Sequence, residues 1–354
     1  MAGMAPIHVM GAGSIGSLFA FYLARTSIPV RLILRTPTSV ESFTRLANVL
    51  TLSLPSDSDP HDPSRRVTLH AETPTSSSEP ISRLLVATKA SDAARALASV
   101  QHRLEPGAVV VAMQNGVLAV LEECDAVVRG VGGEVARAAE GGKVTGQAEA
   151  RRPVLLGGIV QHGVYRKADF HYVHAGGSAE NWIGEIGRDG LASSSYTASP
   201  SVRALLDDLA KAPELKVRTA PPDEMRNRAV AKLACNASLN TLTALLRCRN
   251  GVLLSSPACL SLISSVSHEV GAAFGVDPAK LEQVALSITQ ATGGNWSSMA
   301  ADVRVGRATE IDYLNGHVVR TARARGLSAP TCDALVQLVK ATGEVGAVGG
   351  GKWE

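Results

Sequence analysis

The sequence predicts an α/β protein: a doubly wound parallel sheet followed by an all-α C-terminal domain. Three observations carry this. A glycine-rich turn, Gly11-Ala12-Gly13-Ser14-Ile15-Gly16, lies between a short apolar run and an apolar helical stretch. Continuous apolar strands alternate with helical segments through the first half, the pattern of a parallel sheet covered on both faces. From about Asp223 onward the periodicity is helical and no convincing strand pattern remains. A G-x-G-x-x-G turn between the first strand and first helix makes the N-terminal domain one of the Rossmann type.

The first strand reads Ile7-His8-Val9-Met10, and residues 17–24 continue as its helix. Gly11 permits the tight turn, Gly13 lets backbone approach a phosphate closely, and Gly16 lets the helix pack against the strand. The helix N-terminus then presents N–H groups to a pyrophosphate. Residues Gly11, Ala12, Gly13, Ser14, Ile15 and Gly16 are therefore the expected dinucleotide cradle. A purely structural glycine turn is the rival reading, and the strand–turn–helix context disfavours it.

The second strand, residues 29–36, chooses the dinucleotide. An NAD site usually places Asp or Glu about 20 residues past the glycine motif, to bind the ribose 2′-hydroxyl. That zone holds Arg35 and Thr36 and no acid. A carboxylate would repel a 2′-phosphate, whereas a guanidinium binds it through paired, charge-assisted hydrogen bonds. NADPH is the expected cofactor and Arg35 its reader, with Arg31 a weaker second candidate. The bland alternative makes Arg35 a solvated strand-end residue.

Residues 55–63 are polar and proline-rich and read as a loop. Residues 84–89 form a buried strand, followed by a helix containing residues 93–97. Residues 109–116 form another buried strand that ends in a turn. Ligands bind such sheets at the carboxyl ends of the strands, where Lys89 and Asn115-Gly116 fall. Residues 131–150 show no readable order, and residues 191–201 read as a serine-rich surface loop. The expected domains are 1–221 and 222–345, divided near Pro221-Pro222, with a flexible tail over 346–354. There is no internal repeat.

Bulk composition excludes several classes. A chain of 354 residues, 45% hydrophobic and 19% charged, can hold two well-filled cores. A formal net charge of +3, with no basic run beyond short pairs, gives no footprint for nucleic acid. Five scattered cysteines without a C-x-x-C fit reduced thiols in a cytoplasmic chain rather than a disulfide frame or zinc site. A first strand beginning near residue 7 predicts no signal or transit peptide. No apolar run reaches the ~18 residues of a membrane helix.

Residues 231–244 hold a second constellation: Lys232, Asn236 and Asn240 recur at i, i+4 and i+8. Successive members would lie ~6 Å apart on one helical face. Asn is a poor helix former, so two on an otherwise apolar helix ask for a reason. A half-buried lysine beside amides can have its ammonium positioned and its pKa tuned. A merely solvated stripe stays open on these residues alone.

With the glycine motif, the K-L-x-x-N-x-x-x-N helix resembles that of the ketopantoate reductase (2-dehydropantoate 2-reductase) family. So do Ser297-Ser298-Met299, Asp302-Val303-Arg304 and the segment 307–316, which fits R-x-T-E-I-D-x-x-N-G. The resemblance runs from Ile7 to about Thr342. Segments 52–64, 123–150 and 187–202 are longer or more irregular than a compact member needs, which bears on substrate choice. Residue by residue, it implies Lys232 as the general acid that protonates the developing alkoxide. It implies Glu310 as the group that positions that lysine and contacts the ligands, the cofactor included. Asn236, Asn240 and Ser298 would hold the substrate's carboxylate and hydroxyl groups. Lys89 and Asn115 would line the cofactor and substrate cleft, with closure of the two domains around the ligands. The chemistry asks for these types: charge grows on a ketone oxygen, an ammonium stabilises and protonates it, and amide and hydroxyl donors fix the carboxylate.

The expected function is NADPH-dependent reduction of 2-dehydropantoate to (R)-pantoate, for pantothenate and coenzyme A synthesis. The alternatives are a reductase of another 2-keto acid or ketone on the same fold, and a non-catalytic NADPH-binding sensor. The expected partner is a small keto acid, with no nucleic acid, no membrane and no metal, and a homodimer left open. His162, His171 and His174 lack an acid or cysteine at metal-ligand spacing. His8 reads as a core histidine and Cys235 as packing. Asp302 reads as a surface acid and Asp312 as a helix-packing residue.

Overall fold

A computed structural model of the chain describes residues 4–57, 59, 62–138, 152–176, 179–187 and 199–349. Two compact units divide it, Met1–Met225 and Arg226–Glu354. The division falls inside a helix, Pro222–Cys235.

The first unit runs β1 (Ile7–Met10), α1 (Ser14–Ala24), β2 (Val30–Ile33), α2 (Pro37–Arg45), β3 (Val49–Ser53), β4 (Arg66–Thr68), β5 (His70–Glu72), β6 (Ile81–Val86), α3 (Ala90–Ser99), β7 (Leu104–Ala112) and α4 (Val117–Ala138). It continues with β8 (Val154–Ile159), β9 (Gly163–Ala168), β10 (His171–Gly176), β11 (Asn181–Gly184), α5 (Pro200–Ala210) and β12 (Val217–Arg218). Eight strands form one sheet in the order β12-β11-β8-β7-β6-β1-β2-β5. The six from β5 to β8 are parallel, and β11 joins β8 antiparallel. Ile7, Val9, Leu84, Leu85, Val110 and Val111 have no solvent exposure. Burial on both faces is why these strands read as unbroken apolar runs rather than as alternation. The strand order reverses between β1 and β6, and a doubly wound sheet binds its ligand at such a switch point.

A second, four-stranded sheet, β4-β3-β10-β9, was not anticipated from the sequence. Within it β3 pairs with β10 from 120 residues away, His171 opposite Thr51. Residues 191–198 of the serine-rich stretch and residues 139–150 lie outside the described residues. The helix α4 carries order as far as Ala138, and α5 begins at Pro200, where a loop was expected to 201. Proline at the first helical turn lacks only an N–H that would have had no partner there.

The second unit is helical. The chain passes from α6 (Pro222–Cys235) through a five-residue π turn (Asn236–Asn240) into α7 (Thr241–Leu246). It then forms α8 (Pro257–Phe274), α9 (Pro278–Ala291), α10 (Ser298–Arg304), α11 (Asn315–Ala324) and α12 (Pro330–Gly349). Ser256, Asp277 and Ser297 cap α8, α9 and α10 by accepting backbone N–H groups. The glycine-rich stretch from 346, expected as a tail, stays helical to Gly349. Extending an existing helix through glycine costs only ~1 kcal/mol per residue, and residues 350–354 lie outside the described residues. Pro222–Leu246 is long and apolar enough to cross a membrane, contrary to expectation, but 72% of its most apolar window is buried within the protein. That burial is the signature of a core helix.

Buried histidines run through the first unit. His8 sits on β1 with no exposure, as the sequence suggested. Tyr22 Oη lies 3.0 Å from His174 Nδ1, and His174 Nε2 lies 2.8 Å from His162 Nδ1. Burial holds His8 and His162 down to about 4 from an ordinary 6.5. The folded state thus resists protons that the unfolded chain accepts between these values. Stability is complete above pH 6.5 and is lost as pH falls from 6.5 towards 4. Each of the two contributes up to about 3 kcal/mol to that loss. The denaturation midpoint in urea is expected to fall clearly between pH 7 and pH 5, and His8→Gln is expected to flatten that dependence.

Candidate active site

In the first unit, the expected cofactor residues gather at the carboxyl ends of four adjacent strands. The glycine turn follows β1, Arg35 follows β2, Lys89 follows β6 and Asn115 follows β7. Gly11 has φ +97, a conformation that favours glycine, and an added Cβ would lie 3.1 Å from Ala87 backbone at the end of β6. At Gly16 a Cβ would stand 1.9 Å from the carbonyl oxygen of Gly11, so only hydrogen fits between helix and strand. At Gly13 a Cβ would meet only Ala87 O, at 3.8 Å. The turn is therefore tight on its inner side and open on its outer side, as a phosphate cradle requires.

Two neighbours, Tyr172 and Gln114, brace this end of the sheet without any sequence motif to announce them. Tyr172, on β10, donates its hydroxyl to the carbonyl oxygen of Ala12. It is 160 residues from Ala12, and no local pattern could have found it. Gln114 is buried and donates Nε2 to Val86 O at 2.8 Å, tying the end of β7 to β6 beside Asn115. Arg35 is exposed and pairs with Asp92, in the first turn of α3, which also receives Arg95. The guanidinium is thus aimed across the switch point by a carboxylate.

In the second unit, Lys232 is half-buried near the end of α6. Its ammonium pKa is drawn down from 10.5 to about 8, chiefly by removal from water, against the opposing pull of Cys235 and Glu310. Glu310 therefore lies where its charge favours the ammonium. Burial pushes the Cys235 thiol up to about 12. Cys235 is buried with its thiol protonated, and it is electrostatically coupled to Lys232.

The expected continuous α-helical face carrying Lys232, Asn236 and Asn240 is corrected by the π turn. In a regular α-helix of 3.6 residues per turn, every fourth residue overshoots by ~40°, so the i+8 member drifts by ~80°. A π turn, closed by i→i+5 bonds, takes more residues per turn and reverses that drift. Asn240 is swung back toward the bearing of Lys232. Its Nδ2 reaches Ser298 Oγ at 3.4 Å. The two serines of the Ser297-Ser298 pair divide their work. Ser297 is buried, accepts Thr243 Oγ1 at 2.7 Å and caps α10, whereas Ser298 is exposed. The acids exchange the positions expected of them. Asp302 is buried and accepts Arg307 Nε at 3.0 Å, and Asp312 is exposed and pairs with Lys340 at 2.8 Å. Asp302 is drawn in because the short α10 turns back on itself there, with Arg307 N bonded to Asp302 O.

A family profile described as "Ketopantoate reductase PanE/ApbA" matches residues 7–188, and one described as "Ketopantoate reductase PanE/ApbA C terminal" matches residues 224–343. The chain belongs to the ketopantoate reductase family. Like its relatives in the ketopantoate reductase family, it is an oxidoreductase. A probable 2-dehydropantoate 2-reductase of Schizosaccharomyces pombe is 28% identical over 94% of this chain and 95% of its own length. Among solved structures, a PanE/ApbA family ketopantoate reductase from Ralstonia eutropha JMP134 superposes with a TM-score of 0.75 at 24% identity. It covers 96% of this chain and 99% of its own. A D-mandelate dehydrogenase in ternary complex with NADH and anilino(oxo)acetate superposes with a TM-score of 0.74 at 18% identity, with the same coverage. At these identities the two structures establish the fold that this chain shares with the ketopantoate reductase family.

Proposed function

We propose that the protein reduces 2-dehydropantoate to (R)-pantoate with NADPH, using Lys232 as the proton donor. The observation that carries this reading is the partly desolvated Lys232 ammonium, with its pKa near 8, opposite Glu310 and followed by Asn236 and Asn240. A sensor needs no such group, whereas reduction of a ketone does. The open outer side of the glycine turn and the exposed Arg35 fit a phosphorylated dinucleotide.

The cofactor, when bound, supplies the hydride. Gly11, Ala12, Gly13, Ser14, Ile15 and Gly16 would hold its pyrophosphate through backbone N–H groups, with Lys89 and Asn115 beside them. Arg35 would exchange Asp92 for the 2′-phosphate, a stronger partner by charge. On the substrate side, Asn236, Asn240 and Ser298 donate hydrogen bonds that fix the carboxylate and hydroxyl groups. Lys232 stabilises negative charge growing on the ketone oxygen and then releases a proton from Nζ to it. Glu310 keeps that ammonium charged and oriented until then. The free thiols at Cys124, Cys235, Cys248, Cys259 and Cys332 suit a reducing compartment, and we assign the cytosol.

A second reading, reduction of a different 2-keto acid, has the likeness to D-mandelate dehydrogenase in its favour. The deciding experiment follows NADPH oxidation with ketopantoate beside branched and aromatic 2-keto acids. Turnover with ketopantoate at least ~100-fold above the rest in kcat/KM supports the proposal; the discrimination available from differently shaped pockets is of this order. Turnover on another acid alone keeps the mechanism and replaces the substrate. NADPH binding without any turnover supports the sensor.

Lys232→Ala is expected to lower kcat by about 10²–10⁴-fold, while NADPH binding is retained. In the wild type, Lys232 must hold its proton, so reduction is expected at full rate below pH 8 and to fall as pH rises through about 8. A pH profile of kcat flat to pH 10 would remove Lys232 from this role. Arg35→Ala is expected to raise the Kd of NADPH by ~10–100-fold, the worth of a charged hydrogen-bonded pair, and to leave NADH within twofold. Equal losses for the two cofactors, measured by fluorescence titration, would show that Arg35 does not read the 2′-phosphate.

A further inference from the structure

The π turn needs something to hold it. In a regular α-helix the N–H of Thr241 would donate to the carbonyl oxygen of Ala237. Here it donates to Ser238 O instead. Ala237 O receives Asn315 Nδ2 at 3.0 Å. The other end of the same side chain, Asn315 Oδ1, accepts the Thr241 hydroxyl at 3.0 Å. One amide therefore spans the two residues whose backbone bond the π turn displaces. Asn315 and Thr241 have no solvent exposure, so neither bond can be replaced by water.

We propose that Asn315 is a positioning residue that locks the π turn at Asn236–Asn240 and so sets the aim of the two asparagines toward the substrate. The inference rests on the keto acid reading given above. The chain's own layout favours it. Asn315 opens α11 and stands five residues after Glu310, across the short turn Ile311–Tyr313. One segment thus supports both halves of the site, with Glu310 acting on the charge of Lys232 and Asn315 acting on the backbone that carries Asn236 and Asn240. Polar groups that close a π turn from outside the helix are a way to make an irregular backbone the only stable one.

The test compares Asn315→Leu, of similar volume but without either hydrogen bond, with Thr241→Val, which loses one bond and keeps its shape. Two readouts separate the clamp from general stability and from the identity of the reaction. The first is amide hydrogen exchange. Both variants are expected to speed exchange at least ~10-fold in residues 237–242, the effect of removing about one buried hydrogen bond, with exchange in α9 and in β1 unchanged. Thr241→Ser, which keeps the hydroxyl, is expected to restore the wild-type exchange. The second is steady-state kinetics with the best keto acid. KM for the keto acid is expected to rise ~10-fold or more while Kd for NADPH stays within twofold. Unchanged exchange in residues 237–242 overturns the clamp whatever the activity. Faster exchange with an unchanged KM for the keto acid overturns its role in aiming the asparagines. A wild-type protein that turns over no keto acid defeats the reading of the reaction, and the exchange data then judge the clamp alone. If Asn315→Leu does not fold, Thr241→Val carries both comparisons.

Discussion

Keeping an ammonium group charged while most of its water is removed is the constraint around which the helical unit is arranged. Removal from water draws the Lys232 pKa down to about 8, against the opposing pull of Cys235 and Glu310. Cys235, whose thiol burial keeps protonated, is the other group coupled to that ammonium. A second cation there would complete the deprotonation, and a second carboxylate would return the lysine to its solution behaviour. Residues 231–244 are apolar apart from Lys232 itself and a few amides, hydroxyls and a thiol, so this stretch of chain adds no second charge beside it.

The sheet unit follows a different logic. In the proposed cofactor site the glycine turn would meet a dinucleotide through its backbone, and its side chains must stay out of the way. Gly16 is excluded from any larger side chain by the carbonyl of Gly11, and Gly11 by its positive φ and by β6. Arg35 and Lys89 are the charged side chains proposed to join this turn. Holding Arg35 through Asp92 keeps the guanidinium near α3 without burying it, which leaves it available to an anion.

What was legible in the sequence is what a few consecutive residues determine. The glycine turn, the buried strands of the central sheet and the helical second half are local consequences of turn chemistry and apolar periodicity. Lys232, Glu310 and Ser298 are proposed for the site through motif resemblance, and the structure puts Glu310 within electrostatic reach of Lys232 and Asn240 within reach of Ser298. The second sheet was hidden because the pairing that unites it, β3 with β10, joins segments far apart along the chain. The π turn was hidden because its cause lies elsewhere: residues 236–240 look like ordinary helix until Asn315, 78 residues from Ala237, takes the displaced carbonyl. Asp302 and Asp312 were exchanged for a similar reason, since Arg307 and Lys340 decide which acid is drawn inward.

The pairing of β3 with β10 also bears on the order in which the molecule is made. A ribosome releases residues 49–53 long before it releases 171–173, their partners in register. During that interval β3 has β4 on one side and an open hydrogen-bonding edge on the other. The glycine turn waits as well, because Tyr172, which fastens the carbonyl of Ala12, arrives with the same late strand. The dinucleotide cradle is thus among the first parts of the chain to be synthesised and among the last in its unit to be secured.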